Sequence, residues 1–150
     1  MKTQFVHPVR TIILILLGAA ILTSACQKDQ KAPERHAFVI GLKPEKMEEY
    51  KKLHAEAWPE ILELIEQSHI RNYSIYLGEP EEGKFYLFAY FEYAGQDLEK
   101  DMEAMAEHEI MQQWWELTDA CQIPCPTRRE GEFWMKLEEV FYTDRSGRQI

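Results

Sequence analysis

The chain has no Gly-rich phosphate-binding loop, no Gly-x-Ser-x-Gly nucleophile elbow and no His-x-x-x-His pair. Those absences argue against nucleotide hydrolysis, dinucleotide-dependent redox chemistry, serine-hydrolase chemistry and the helical zinc sites, each of which needs one of these local geometries. Positive charge is scarce, with 17 Lys and Arg against 26 Asp and Glu and a formal net charge of −9. Binding to nucleic acid depends on clustered cations that displace phosphate counterions, so nucleic acid is disfavoured as a partner. Cysteine is limited to three residues with no Cys-x-x-Cys spacing, which leaves no metal-ligand pattern. No internal repeat or low-complexity segment occurs, and no pair of acids stands out from the charged faces around it.

Long hydrophobic runs are also missing but for one, residues 12–22, which falls short of the roughly 20 residues a membrane span needs. It follows a start that carries Lys2 and Arg10 and no acid, and it leads through Thr23-Ser24-Ala25 into Cys26. This is the pattern of an export leader, residues 1–25. A cysteine directly after small residues resembles a bacterial lipobox, although Thr23 stands where Leu is usual. Cys26 is therefore expected to be lipidated, anchoring an exported lipoprotein on the periplasmic or cell-surface side of a membrane. Residues 26–35 read as a polar tether, 36–143 as the folded domain and 144–150 as a tail. Removal of the leader takes two cations and brings the formal charge to −11. Cys121 and Cys125 flank Gln122-Ile123-Pro124 and could close a disulfide in an oxidising compartment or remain thiols.

Within the domain, residues 36–42 form a short run rich in strand formers, ended by Lys43-Pro44. Apolar residues then recur at helical spacing over 45–68, with Pro59 demanding a break after Ala57 and opening a second helical piece. Residues 70–77 and 84–93 predict a hairpin around Gly78 and Gly83. A second helical stretch covers 96–120, interrupted near Glu107-His108, and 132–142 reads as a fourth strand. The order β-α-β-β-α-β predicts an α+β, ferredoxin-like fold with a four-stranded antiparallel sheet and two helices on one face. Tyr86, Phe88 and Tyr90 alternate with Phe85, Leu87 and Phe91, so the second face also needs cover, from a partner copy or a ligand.

Tyr50 and His54 are four residues apart, hence neighbours on one helix face at the edge of its apolar stripe. Trp58 continues the same spacing. Trp114 and Trp115 are adjacent on a predicted helix and point about 100° apart, so one can enter the core while the other lines a groove. On the second strand, Tyr73 and Asn72 face opposite sides of the sheet. Aromatic rings offer flat apolar faces to the C–H side of a sugar, and Tyr and His supply tips that hold hydroxyls. The set therefore suggests a carbohydrate pocket. His36, His69 and His108 have simpler structural readings.

Residues 37–142 resemble the L-rhamnose mutarotases. The resemblance is carried by Glu49-Tyr50-Lys51-Lys52-Leu53-His54, Trp58-Pro59-Glu60, Asn72-Tyr73-Ser74-Ile75-Tyr76-Leu77, Phe88-Ala89-Tyr90-Phe91-Glu92, Gln113-Trp114-Trp115 and Glu139-Val140-Phe141-Tyr142. It implies the dimeric α/β-barrel variant of the ferredoxin-like fold, a homodimer, and interconversion of the α and β anomers of a 6-deoxysugar without cofactor or metal. It also implies His54 as the proton donor and Tyr50, Tyr73, Trp114 and Trp115 as sugar contacts. The chain departs from the family at Leu53 and Ala55, where Arg and Asn are usual, and across residues 118–131. Two other readings use the same residue types: a small oxygenase on this scaffold, and a lipoprotein that binds sugar without turning it over.

Overall fold

The computed structural model describes residues 32–143. The expected leader, Cys26, most of the tether and the tail 144–150 lie outside the described residues. Strand β1 (Glu34–Leu42) leads through a 3-10 turn, Pro44–Lys46, into α1 (Met47–Ala55) and α2 (Pro59–Gln67). The hairpin β2 (Ile70–Glu81) and β3 (Lys84–Tyr93) follows, then α3 (Leu98–Ala106), α4 (Glu109–Asp119) and two short strands, β4 (Gln122–Ile123) and β5 (Met135–Lys136). The sheet runs β2-β3-β1-β4, with β5 also paired to β1 and every pairing antiparallel. This is the ferredoxin-like order expected of the sequence. Among the described residues no helix is long and apolar enough to cross a membrane.

The helix breaks fall where local chemistry puts them. Trp58 precedes Pro59 and is held extended at φ −65°, ψ 136°, because the proline ring excludes helical backbone in the residue before it. Pro59 then starts α2 at a position that needs no N–H. Asp97 caps α3 by accepting a hydrogen bond from Lys100 N at 3.1 Å, which satisfies one of the open donors of the first turn. The Tyr93 hydroxyl ties α3 to the sheet. It donates to Asp101 at 2.6 Å and accepts from Asp97 N at 2.8 Å.

Alternation decides which face is core. The register places Ile40 opposite Leu87, Phe38 opposite Ala89 and His36 opposite Phe91. These residues share the face covered by the helices. Two clusters fill the space: Ile61, Leu64, Phe91, Met111 and Trp114 at one end, and Ile40, Leu42, Tyr50, Leu87 and Cys121 at the other. Each fully buried Ile or Leu contributes about 1.5–3 kcal/mol.

Two expectations are corrected, and the choice left open for Cys121 and Cys125 falls to free thiols. The first strand starts at Glu34 rather than His36, where Arg35 makes a two-pronged bond to Glu139 at 2.7 and 2.8 Å and stacks 3.3 Å over the Tyr142 ring. The fourth strand, expected over 132–142, is two fragments. β4 can approach β1 because Gly41 has no side chain: a Cβ there would lie 2.8 Å from the Ile123 carbonyl oxygen. β5 pairs only with Phe38 and Val39 before the chain leaves the sheet, with Val140 86% and Phe141 63% exposed. The disulfide is not formed. Cys121 and Cys125 are buried free thiols aimed at different carbonyls, Leu117 and Val39, and the strand pairing at Gln122–Ile123 keeps the chain between them extended.

Strand β2 carries a bulge between Arg71 and Ser74, where two residues oppose one on β3. Asn72 absorbs it at φ 51°, a left-handed conformation that Asn tolerates better than branched residues. Its amide donates to Glu92 at 2.8 Å on the open face, while Tyr73 turns inward onto Phe91, with ring centroids 5.8 Å apart. Asn72 and Tyr73 face opposite sides as alternation requires, and the extra residue decides which one turns inward: counting from Arg71 alone would put Asn72 on the core face, and the bulge puts Tyr73 there instead. Replacement Asn72→Val is expected to cost about 1–2 kcal/mol of stability through the left-handed backbone, and Asn72→Gly clearly less. Urea denaturation midpoints of the two variants check this, and equal losses would show that the backbone conformation is not what matters.

Candidate functional site

Between the helices and the inner sheet face lies a cavity of about 410 Å³, continuous in its lining with a neighbouring space of about 560 Å³ nearer α2. Tyr50, His54, Tyr73, Trp114 and Trp115 line both. All five residues singled out in the sequence are thus brought together from α1, the β2 bulge and α4. Volumes of this order suit a small organic ligand.

His54 is half-buried on α1, its ring 4.2 Å from that of Tyr50 and 5.4 Å from Trp114, the latter edge-on. Nδ1 lies 3.0 Å from the Tyr50 backbone carbonyl oxygen. A carbonyl oxygen only accepts, so Nδ1 carries the hydrogen and the neutral ring keeps its lone pair on Nε2. Burial pushes the His54 pKa below 6.5, and the bond to the Tyr50 carbonyl acts against that shift. The neutral, proton-accepting form is therefore the resting one at neutral pH.

The tryptophans divide the work as adjacent helix positions must. Trp114 is 7% exposed and wedged edge-on between His54 and Trp58, 5.4 Å from each, so it fixes the histidine from behind. Trp115 is only partly buried. Trp58 does not extend the Tyr50–His54 stripe, because α1 ends at Ala55; from the extended position before α2 it packs against Trp114 behind the cavity. Tyr50 is 5% exposed and its phenol is held protonated, raised first by burial and then by the nearby Tyr73 phenol, with the Gln122 amide pulling the other way. Tyr73 is 45% exposed as a residue, yet burial also raises its phenol.

Sequence reasoning missed Asp119, Gln122, Phe133 and Trp134, which line the same cavity. Asp119 ends α4 half-buried, its carboxylate makes no hydrogen bond or ion pair among the described residues, and burial raises its pKa. Asp119 fell in the expected second helical stretch and Phe133 and Trp134 in the expected fourth strand, and no local spacing marked any of the four as lining a cavity. Among the described residues no group of His, Cys, Asp or Glu could hold a metal ion.

A family profile for L-rhamnose mutarotases matches residues 35–143. An L-rhamnose mutarotase of Listeria monocytogenes serovar 1/2a is 37% identical over 109 residues, 73% of this chain and 97% of that relative. The crystal structure of an L-rhamnose mutarotase from Formosa agariphila superposes with a TM-score of 0.55 and 30% identity, covering 74% of this chain and 99% of that one. A type-II polyketide cyclase from Streptomyces glaucescens shares the fold, with a TM-score of 0.50 and 19% identity over 73% of this chain and 94% of the other.

The depressed His54 pKa has a stability consequence. The folded state holds the His54 proton less tightly than the unfolded one, so its contribution is present above the unfolded value near 6.5 and is lost as pH falls through the lower folded value. Between pH 7 and 5 the His54→Gln protein should therefore lose less stability than the wild type, leaving the similarly depressed His36 to supply the residual slope. Parallel pH-dependent denaturation curves for the two proteins would contradict the burial of His54.

Proposed function

The chain belongs to the L-rhamnose mutarotase family, and on that premise we propose that it interconverts the α and β anomers of L-rhamnose or a close 6-deoxysugar, with His54 moving the proton. The observation that carries this reading is the free Nε2 of His54, held neutral beside aromatic rings in a cavity of monosaccharide size. Nε2 takes the proton from the anomeric hydroxyl. As that oxygen becomes a carbonyl, the bond from C1 to the ring oxygen breaks, and the imidazolium returns the proton to the ring oxygen. Rotation of the open-chain aldehyde and reversal of both steps give the other anomer, with no net change of atoms or charge. General acid–base catalysis of this kind contributes about 10²–10⁴-fold. Trp115 stacks on the C–H face of the ring, and the neutral phenols of Tyr50 and Tyr73 donate to its oxygens.

The protein works as a homodimer in this reading. The outer sheet face carries Tyr76, 64% exposed, together with Tyr86, Phe88 and Tyr90, and the chain after β5 holds out Val140 and Phe141. An apolar surface of that kind is what a second sheet covers. We further propose that the leader exports the protein and that Cys26 anchors it by a lipid, placing anomer exchange where sugars are released before uptake. Cys26→Ser should shift the full-length protein from the membrane to the soluble fraction, and unchanged fractionation would remove the anchor.

Exchange NMR on L-rhamnose tests the catalytic reading. His54→Ala should cut catalysed anomer exchange at least 100-fold while the sugar still binds. Trp115→Ala should weaken binding about tenfold through lost stacking area. For the wild type, kcat/KM should hold steady at neutral pH and fall as pH drops through the depressed His54 pKa, since the neutral base is what free enzyme must present. Undiminished exchange in His54→Ala would reject His54 as the catalyst.

A further inference from the structure

The pocket holds one acid that the proton transfers at His54 leave unused. Asp119 is the last residue of α4, four positions after Trp115, so the two side chains stand one above the other on one helix face and line the same cavity of about 410 Å³. Three features disfavour a carboxylate there. It is half-buried, it sits at the negative end of a helix whose last turn carries no basic residue, and no Lys or Arg lines the cavity. Burial raises its pKa accordingly. Part of the residue stays accessible, and its oxygens accept no hydrogen bond among the described residues. An uncompensated acid in a pocket points to function rather than to packing. Nor does Asp119 tune His54, whose pKa is set by burial and by the Tyr50 carbonyl; its charge reaches the Tyr50 phenol instead.

We propose that Asp119 is a further substrate-holding residue, whose carboxylate accepts hydrogen bonds from sugar hydroxyls away from C1 while His54 faces C1. An ionised carboxylate only accepts, through two oxygens, and its bonds are roughly twice as strong as those between neutral groups. Trp115, one turn earlier on the same face of α4, lies against the flat of the ring, so the carboxylate meets the hydroxyls at the ring edge. The reaction itself calls for such a grip. Once C1 parts from the ring oxygen the sugar is an open chain with several turning bonds, and His54 can serve both oxygens only while they stay within its reach. Hydroxyls held beyond C1 confine the motion to the aldehyde. They also bring the hydrogens that the half-buried carboxylate lacks, so binding lowers the Asp119 pKa where burial had raised it. This inference rests on the reading of the cavity as a mutarotase site.

The test compares binding and anomer exchange by NMR for L-rhamnose and its 2-, 3- and 4-deoxy analogues on wild type, Asp119→Asn and Asp119→Ala. Both substitutions remove a charge at a partly accessible position, so both proteins should keep the wild-type circular dichroism spectrum. At pH 7 the wild type should bind at least one deoxy analogue about tenfold more weakly than L-rhamnose. Asp119→Ala should bind L-rhamnose about tenfold more weakly than the wild type does and no longer penalise that analogue. Asp119→Asn, which keeps a neutral acceptor, should fall between. The other titratable groups lining this cavity are the Tyr50 and Tyr73 phenols, which stay protonated in acid, and His54, which all three proteins retain. A pH step that belongs to Asp119 is therefore read by difference. Wild-type affinity should weaken as pH falls through the Asp119 pKa, because the carboxylic acid is the poorer acceptor, and that step should be missing from both variants. A wild type that exchanges L-rhamnose yet binds all three deoxy analogues equally overturns the inference without recourse to a variant. So does a folded Asp119→Ala protein that keeps the wild-type affinity, ranking or pH step. A wild type inert toward every sugar overturns the mutarotase reading and this inference with it.

Discussion

The site depends on a hydrogen bond inside one turn of helix, from His54 Nδ1 to the Tyr50 carbonyl oxygen at 3.0 Å. In water a neutral imidazole exchanges its proton between two nitrogens and turns freely. Here the carbonyl demands the hydrogen at Nδ1, the Tyr50 ring at 4.2 Å lies against one side of the imidazole and the edge of Trp114 limits the other. What remains is a single lone pair, on Nε2, in a fixed orientation. An acid–base group that must serve two oxygens of one substrate in turn gains from that fixity, since no reorientation of the ring separates the two transfers.

The rest of the fold can be understood as the means of holding a cavity open beside that atom. Small domains close-pack their interiors, and this one keeps an unfilled space between sheet and helices because its walls are stiff. Pro59 and the turn at His108 each divide one helical stretch into two pieces. The bulge at Asn72 turns Tyr73 inward, and the short β4 strand fixes Gln122 at the wall. The edge contributed by residues 118–136 has little regular pairing, two residues in β4 and two in β5. His54 thus sits on a regular helix, while Gln122, Phe133 and Trp134 reach the cavity from the irregular edge.

Much of this was legible in the residues. The strands and helices follow from alternation and helical spacing, Pro59 announces its own break, and the spacing of Tyr50 and His54 puts both on one face of α1. The Trp114–Trp115 pair divides between packing and groove as adjacent helix positions require. The bulge was not legible, because Asn72 looks like any strand residue until its left-handed backbone is seen. Nor was the fate of the fourth strand: residues 132–142 have the composition of a strand, but pairing there is limited by the Arg35–Glu139 bond and by a competing two-residue strand too short to show any period. Gln122 escaped notice for the same reason, since its burial comes entirely from tertiary placement. Cys121 and Cys125 show the limit of spacing arguments: four residues apart in sequence, they are kept on separate bonds by the strand between them.

Long-range proton–nitrogen correlation spectra of the imidazole resonances at pH 7, assigned to His54 by substitution, test the account most directly. A neutral ring with its hydrogen on Nδ1 and an unprotonated Nε2 whose shift responds to added L-rhamnose is the predicted result. A hydrogen on Nε2, a charged ring at that pH, or nitrogens indifferent to the sugar would contradict it.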